Sequence, residues 1–122
     1  MRQLKFRIWD TLAKQYIYPE DAMAARHYWI TLEGEVCNMQ NGAGSPELVI
    51  QEWTGIQDKN GKDIYEGDIL KDEYLTYEII NSGYEWESVC RRYQSFAISN
   101  FSHVRMSEKI GNIFQNPELL QN

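Results

Sequence analysis

Extended segments of four to seven residues recur about every ten residues along this chain, with turn-forming residues between them. Leu4, Phe6 and Ile8 alternate with Lys5, Arg7 and Trp9, the period of two that marks a half-buried strand with Lys5 and Arg7 on its wet face. A turn over 10–14 and a second strand through Tyr16–Tyr18, stopped by Pro19, make a hairpin of the opening. Further extended runs are expected at 28–32, 36–39, 48–54, 69–71, 74–80, 85–89, 93–99, 104–106 and 110–114. Good helix formers gather only at 20–27, and Asn116-Pro117-Glu118 signals one last helical turn with Asn116 as its cap. A parallel sheet needs long helical crossovers, which this pattern lacks. The fold expected is therefore mainly β, a small antiparallel barrel or sandwich with one or two short helical turns.

At 122 residues the chain has the size of a single domain, 1–122, that can fold without a disulfide or metal. Apolar runs reach only three or four residues, which excludes a membrane-spanning helix and implies a cytoplasmic protein with Cys37 and Cys90 reduced. The net charge of -6 is unevenly placed: +2 over 1–30, -10 over 31–88 and +2 over 89–122. That acidic centre repels phosphates and argues against sequence-independent nucleic-acid binding. A small basic patch of Arg2, Lys5, Arg7, Arg91 and Arg92 leaves sequence-specific binding as a lesser alternative beside an ordinary solvated face.

Three blocks carry a family resemblance. They are Lys5–Asp10 (KFRIWD), Ile50–Leu70 (IQEWTGIQDKNGKDIYEGDIL) and Ile110–Leu120 (IGNIFQNPELL), about a third of the chain. Together they resemble the signature of the YopX family of bacteriophage and prophage proteins. The resemblance implies a small SH3-like β-barrel encoded by phages and prophages, with no established activity; the residues themselves call for no cofactor. Its signature positions here are Trp53, Gly55, Asn60, Gly61, Gly67, Asp68, Gly111, Asn112 and Pro117. Residue chemistry gives these a structural role. Asn60-Gly61 suits a tight hairpin turn with positive φ at both residues. Tyr65-Glu66-Gly67-Asp68 reads as a turn in which glycine bends the chain and aspartate fastens backbone amides.

The same block allows a rival reading. Asp58, Asp63, Glu66 and Asp68 are hard oxygen ligands close together, and a metal-dependent hydrolase or nuclease could use them. The spacing does not fit a calcium loop, since Asp63 and Ile69 stand where glycine and glutamate are required, and acids beside a hairpin tip are ordinarily solvated. His27 and His103 belong to no ligand spacing, and Cys90 beside Arg91-Arg92 reads as a small buried hydrophobe. No catalytic residue is assigned.

Sixteen of the 122 residues are aromatic. Phe6, Trp9, Trp53 and Phe96 are assigned to the core. Tyr74, Tyr77, Tyr84 and Trp86 are candidate interface residues, on a hairpin over 74–99 expected to project from the barrel because nothing protects its edge. The sequence thus suggests a non-enzymatic module that binds a host or phage protein and self-associates.

Overall fold

The computed structural model describes residues 5–18, 28–30, 36–38, 47–73, 75–81, 86–90, 96–97 and 102–120. The fold is mainly β, with antiparallel sheets of which one curls into a half-barrel, in agreement with the small barrel expected. Its backbone groups into two compact units, residues 4–52 and residues 53–122 with 1–3.

In the first unit, strand β1 (Phe6–Asp10) pairs with β2 (Gln15–Ile17) on one side. On its other side it pairs with the opening residues of β5 (Leu48–Gln57), Phe6 lying opposite Glu52 and Asp10 opposite Leu48. A separate hairpin joins β3 (Tyr28–Ile30) to β4 (Val36–Asn38). The β1–β2 turn is fastened by Asp10, whose Oδ1 accepts from the amides of Leu12 and Ala13, both at 3.0 Å.

Strand β1 departs from the expected alternation. Arg7, Ile8 and Trp9 are all buried, so both faces of the strand are covered at this point. Arg7 is 1% exposed and not on a wet face. Its Nε donates to Gln51 Oε1 at 2.8 Å, and its guanidinium lies 4.2 Å from the centre of the Tyr16 ring. The Tyr16 hydroxyl donates to the same Gln51 oxygen at 3.0 Å, and the Trp9 and Tyr16 rings sit 4.9 Å apart. Burial among these partners withdraws Arg7 from the basic patch. Arg2, Arg91 and Arg92 lie outside the described residues.

The second unit holds the larger sheet. Its strands run β10 (Phe96–Ala97), β9 (Trp86–Val89), β8 (Thr76–Asn81), β7 (Asp68–Lys71) and β11 (Glu108–Asn112), each antiparallel to its neighbour. Strand β6 (Asp63–Tyr65) pairs with the second half of β5. There the register slips: Trp53 faces Tyr65 and Gln57 faces Asp63, so β5 carries two extra residues between these pairs. Thr54 closes the bulge, its hydroxyl donating to the Ile64 carbonyl at 2.7 Å and accepting from the Ile56 amide at 3.3 Å.

A hydrophobic cluster of Ile56, Ile64, Leu70, Tyr77, Ile79, Trp86, Cys90 and Val104 fills this unit. Two expectations change here. Residues 104–106 do not extend; Ser102–Arg105 forms one helical turn, α1, which places Val104 at 0% exposure in the core. The described strands of the hairpin expected to project, β8 and β9, lie inside the sheet between β7 and β10 and deliver Tyr77, Ile79 and Trp86 to the cluster, while residues 82–85 between them lie outside the described residues. The last turn appears as a 3-10 helix over Pro117–Leu120. The helix formers at 20–27 lie outside the described residues. Among the described residues no helix is long and apolar enough to cross a membrane.

Candidate functional site

The segment 58–68 and strand β11 form one hydrogen-bonded frame. At its centre is Asp58, only 5% exposed, which corrects the expectation of a solvated acid. Its Oδ1 accepts from the amides of Asn60 (2.8 Å) and Lys62 (2.9 Å), and its Oδ2 accepts from the amide of Lys109 (2.8 Å). The side chain shapes the turn and also pins it to β11. The backbone adds an Asp58 amide to Lys62 carbonyl bond at 2.8 Å and a Gly61 amide to Asp58 carbonyl bond at 3.1 Å. Among the described residues Gly61, and not Asn60, takes positive φ, at 81°. A turn closed by a left-handed glycine replaces the two-residue turn expected, since the Asp58 carboxylate holds the Asn60 amide.

Burial pushes the Asp58 carboxyl up, but the amides of Lys109, Lys62 and Asn60 with the nearby Lys62 ammonium outweigh it and hold the group below its ordinary 3.8. As pH falls from neutral the unfolded chain therefore takes up this proton first. The stabilisation is complete above the ordinary carboxylate value and is lost as pH falls through the lower folded value. We expect Asp58→Asn to be less stable than the wild type at neutral pH, because its amide nitrogen would face the Lys109 amide, also a donor. The gap should narrow below about pH 4. Urea unfolding at a series of pH values checks this; a gap constant across the acid limb would contradict it.

Asp68 is completely buried. Its Oδ2 accepts from the Tyr65 amide at 2.7 Å and forms an ion pair with Lys109 Nζ at 3.1 Å. The same ammonium donates to the Asp63 carbonyl at 3.0 Å and sits 5.7 Å from the Tyr65 ring centre. Gly67, between these residues, has φ of 85°. Its amide donates to the Ile79 carbonyl at 2.8 Å and its carbonyl accepts from the Ile113 amide at 2.9 Å, which joins the turn to β8 and to the end of β11.

Asn112 does the same work at the C-terminal block. Its Oδ1 accepts from the amides of Phe114 (3.1 Å) and Gln115 (2.9 Å). The Asn116 side chain does not cap the helix turn ahead of it as expected; its Oδ1 reaches back to accept from the Asn112 amide at 3.3 Å. This fold-back requires glycine at 111, because a Cβ there would stand 2.5 Å from Asn116 Oδ1 and 2.9 Å from its Cβ. Pro117 is exposed at the first position of the 3-10 helix.

The frame also assembles a groove. The Lys59 amide donates to the Ser107 carbonyl at 3.1 Å, and the Ser107 amide donates to the Val104 carbonyl at 3.1 Å. These bonds hold the hairpin tip against the turn that follows α1. Between them lies an open groove of about 550 Å³, lined by Trp53, Gly55, Ile56, Gln57, Asp58, Lys59 and Arg105. The half-buried indole of Trp53 is fixed by its Nε1, which donates to the Ile56 carbonyl at 3.2 Å. Lys59 and Arg105 are exposed on it.

Two of the four candidate interface residues are corrected. Tyr77 is 3% exposed and Trp86 8%, and both belong to the core cluster. The Tyr77 hydroxyl bonds to that of Ser107 at 2.5 Å; burial pushes its pKa up to about 12, with the Ser107 bond opposing and Asp72 adding to the rise. Tyr74 and Tyr84 lie outside the described residues, as do the side chains of Phe96 and His103. Trp9 is buried as expected, whereas Phe6 and Trp53 are only half-buried. Cys90 is a free, buried thiol. Among the described residues no three His, Cys, Asp or Glu side chains are placed to hold a metal ion. Sequence reasoning missed the Lys59–Arg105 groove, because its two cations are far apart in the chain.

These features define a small β-protein whose most distinctive segment is a turn frame closed by aspartate, asparagine and glycine. The YopX protein family model matches residues 5–121, and the chain belongs to that family. It is similar to the crystal structure of protein EF1440 from Enterococcus faecalis, with 27% identity, TM-score 0.64 and coverage of 99% of this chain and 100% of that one. It shares its fold with the X-ray structure of protein yopX from Bacillus subtilis, at 21% identity, TM-score 0.60 and coverage of 100% and 98%. No curated protein matches the chain.

Proposed function

We propose that this chain is a non-enzymatic binding module acting on a protein partner of a phage or of its bacterial host. The observation that carries the reading is a division of labour among its polar groups. Asp58 directs both its carboxylate oxygens, and Asp68 its Oδ2, at the chain's own amides and at Lys109, while a groove with exposed cations stands open beside them. Metal-dependent hydrolysis needs carboxylate oxygens free for the ion, and withdrawing these would unfasten the frame.

Thermal denaturation in Mg²⁺, Mn²⁺ and Ca²⁺ tests this reading. The melting temperature should be unchanged by each ion. A rise that disappears in Asp63→Asn would overturn the reading in favour of metal-dependent chemistry.

A further inference from the structure

We propose that the groove beside Trp53 takes an acidic peptide segment of a partner protein, one in which an apolar side chain is flanked by carboxylates. This rests on the binding reading and names the ligand class for it. Trp53, Gly55 and Ile56 line the groove, and the Trp53 indole is held by its bond to the Ile56 carbonyl. A fixed aromatic surface gives contact area at little entropic cost.

Lys59 and Arg105 bring two cations to this lining, and among the described residues neither side chain is engaged in an ion pair. Asp58, which also lines the groove, is buried and turned to three backbone amides, so its charge is already compensated by donors of the frame. What the groove offers a ligand is thus two cations beside a mixed lining whose apolar part is Trp53 and Ile56. Met106, next to Arg105, is 76% exposed.

Charge complementarity selects the occupant. A neutral apolar peptide would leave both cations without a counterpart. A nucleic acid would meet the same cations but bring a continuous line of phosphates, more negative charge than two cations neutralise. A peptide with two carboxylates and an apolar residue between them matches the two cations and the Trp53–Ile56 surface with no charge left over.

The test is an amide and indole NMR titration of the labelled whole chain with a capped peptide of alternating glutamate and leucine. A peptide with lysine for glutamate and a single-stranded oligonucleotide run in parallel. The acidic peptide should shift the Trp53 indole and the amides of Gly55, Ile56 and Lys59, and the lysine peptide should not. Lys59→Glu and Arg105→Glu, both exposed and outside the core, should each weaken binding roughly fivefold, as expected for solvent-exposed ion pairs. Lys71→Glu, exposed but not lining the groove, should leave the affinity within about twofold. Equal response to the lysine peptide, tighter binding of the oligonucleotide at the same amides, or no response at them would each overturn the proposal. A protein whose melting ignores metals but whose groove ignores the acidic peptide loses only the ligand class. A metal-dependent melt overturns the underlying reading as well.

Discussion

Asp68→Ala is expected to lower the unfolding free energy by about 2 to 4 kcal/mol, the largest effect of any single substitution in the frame. The carboxylate is at 0% exposure, and its removal leaves the Tyr65 amide without its acceptor at 2.7 Å. It also parts Lys109 Nζ from its anion at 3.1 Å. The Lys109 side chain is 20% exposed, so water can reach part of the stranded charge and the loss stays below that of a fully enclosed ion pair. Asp68→Asn keeps an acceptor for Tyr65 but not the charge and should lose less. If Lys109→Met is added to Asp68→Ala, part of the stability should return, because the unpaired ammonium goes with it. Urea unfolding of the four proteins measures all of this, and a loss under about 0.5 kcal/mol in Asp68→Ala would show that the ion pair does not hold the frame.

Gly67→Val should cost on the order of 1 to 3 kcal/mol, since a β-branched residue is strained at positive φ. At 85° the glycine sends its amide to Ile79 and its carbonyl to Ile113. Those bonds fix its conformation from two sides, so the chain cannot relax into an ordinary extended φ without losing one of them. Gly67→Ala should be milder than Gly67→Val, because both are strained at that φ but only valine adds branching at Cβ. Equal stability of wild type and valine variant in urea would contradict this account of the turn.

The Gly67-Asp68 turn was legible because its chemistry is local: the glycine turns the chain and the aspartate binds an amide three residues back. Strand positions were legible for the same reason, as alternation and turn residues act over a few neighbours. Asp58 was half-legible. Its spacing to Asn60 and Gly61 is that of a side chain closing its own turn, yet the Lys109 amide that buries it lies 51 residues away. Arg7 shows the limit of alternation, since its burial depends on Gln51, 44 residues on, and on the Tyr16 ring. The 102–105 turn escaped notice because the β-branched Val104 suggests a strand, while burial of that side chain in the core favours a helical turn there. Trp86 was misplaced for a related reason: an aromatic residue at a strand end reads alike whether it meets a partner or its own core.

The central claim is that Asp58 and Asp68 of the signature segment act as fasteners of the fold. The most direct measurement is a carboxyl-carbon NMR titration of Asp58, carried out with and without Mg²⁺. The account predicts a midpoint below the ordinary 3.8, unmoved by the ion, because three amides and the Lys62 ammonium already hold the carboxylate. A midpoint at or above 3.8, or one that Mg²⁺ shifts at constant ionic strength, would contradict it.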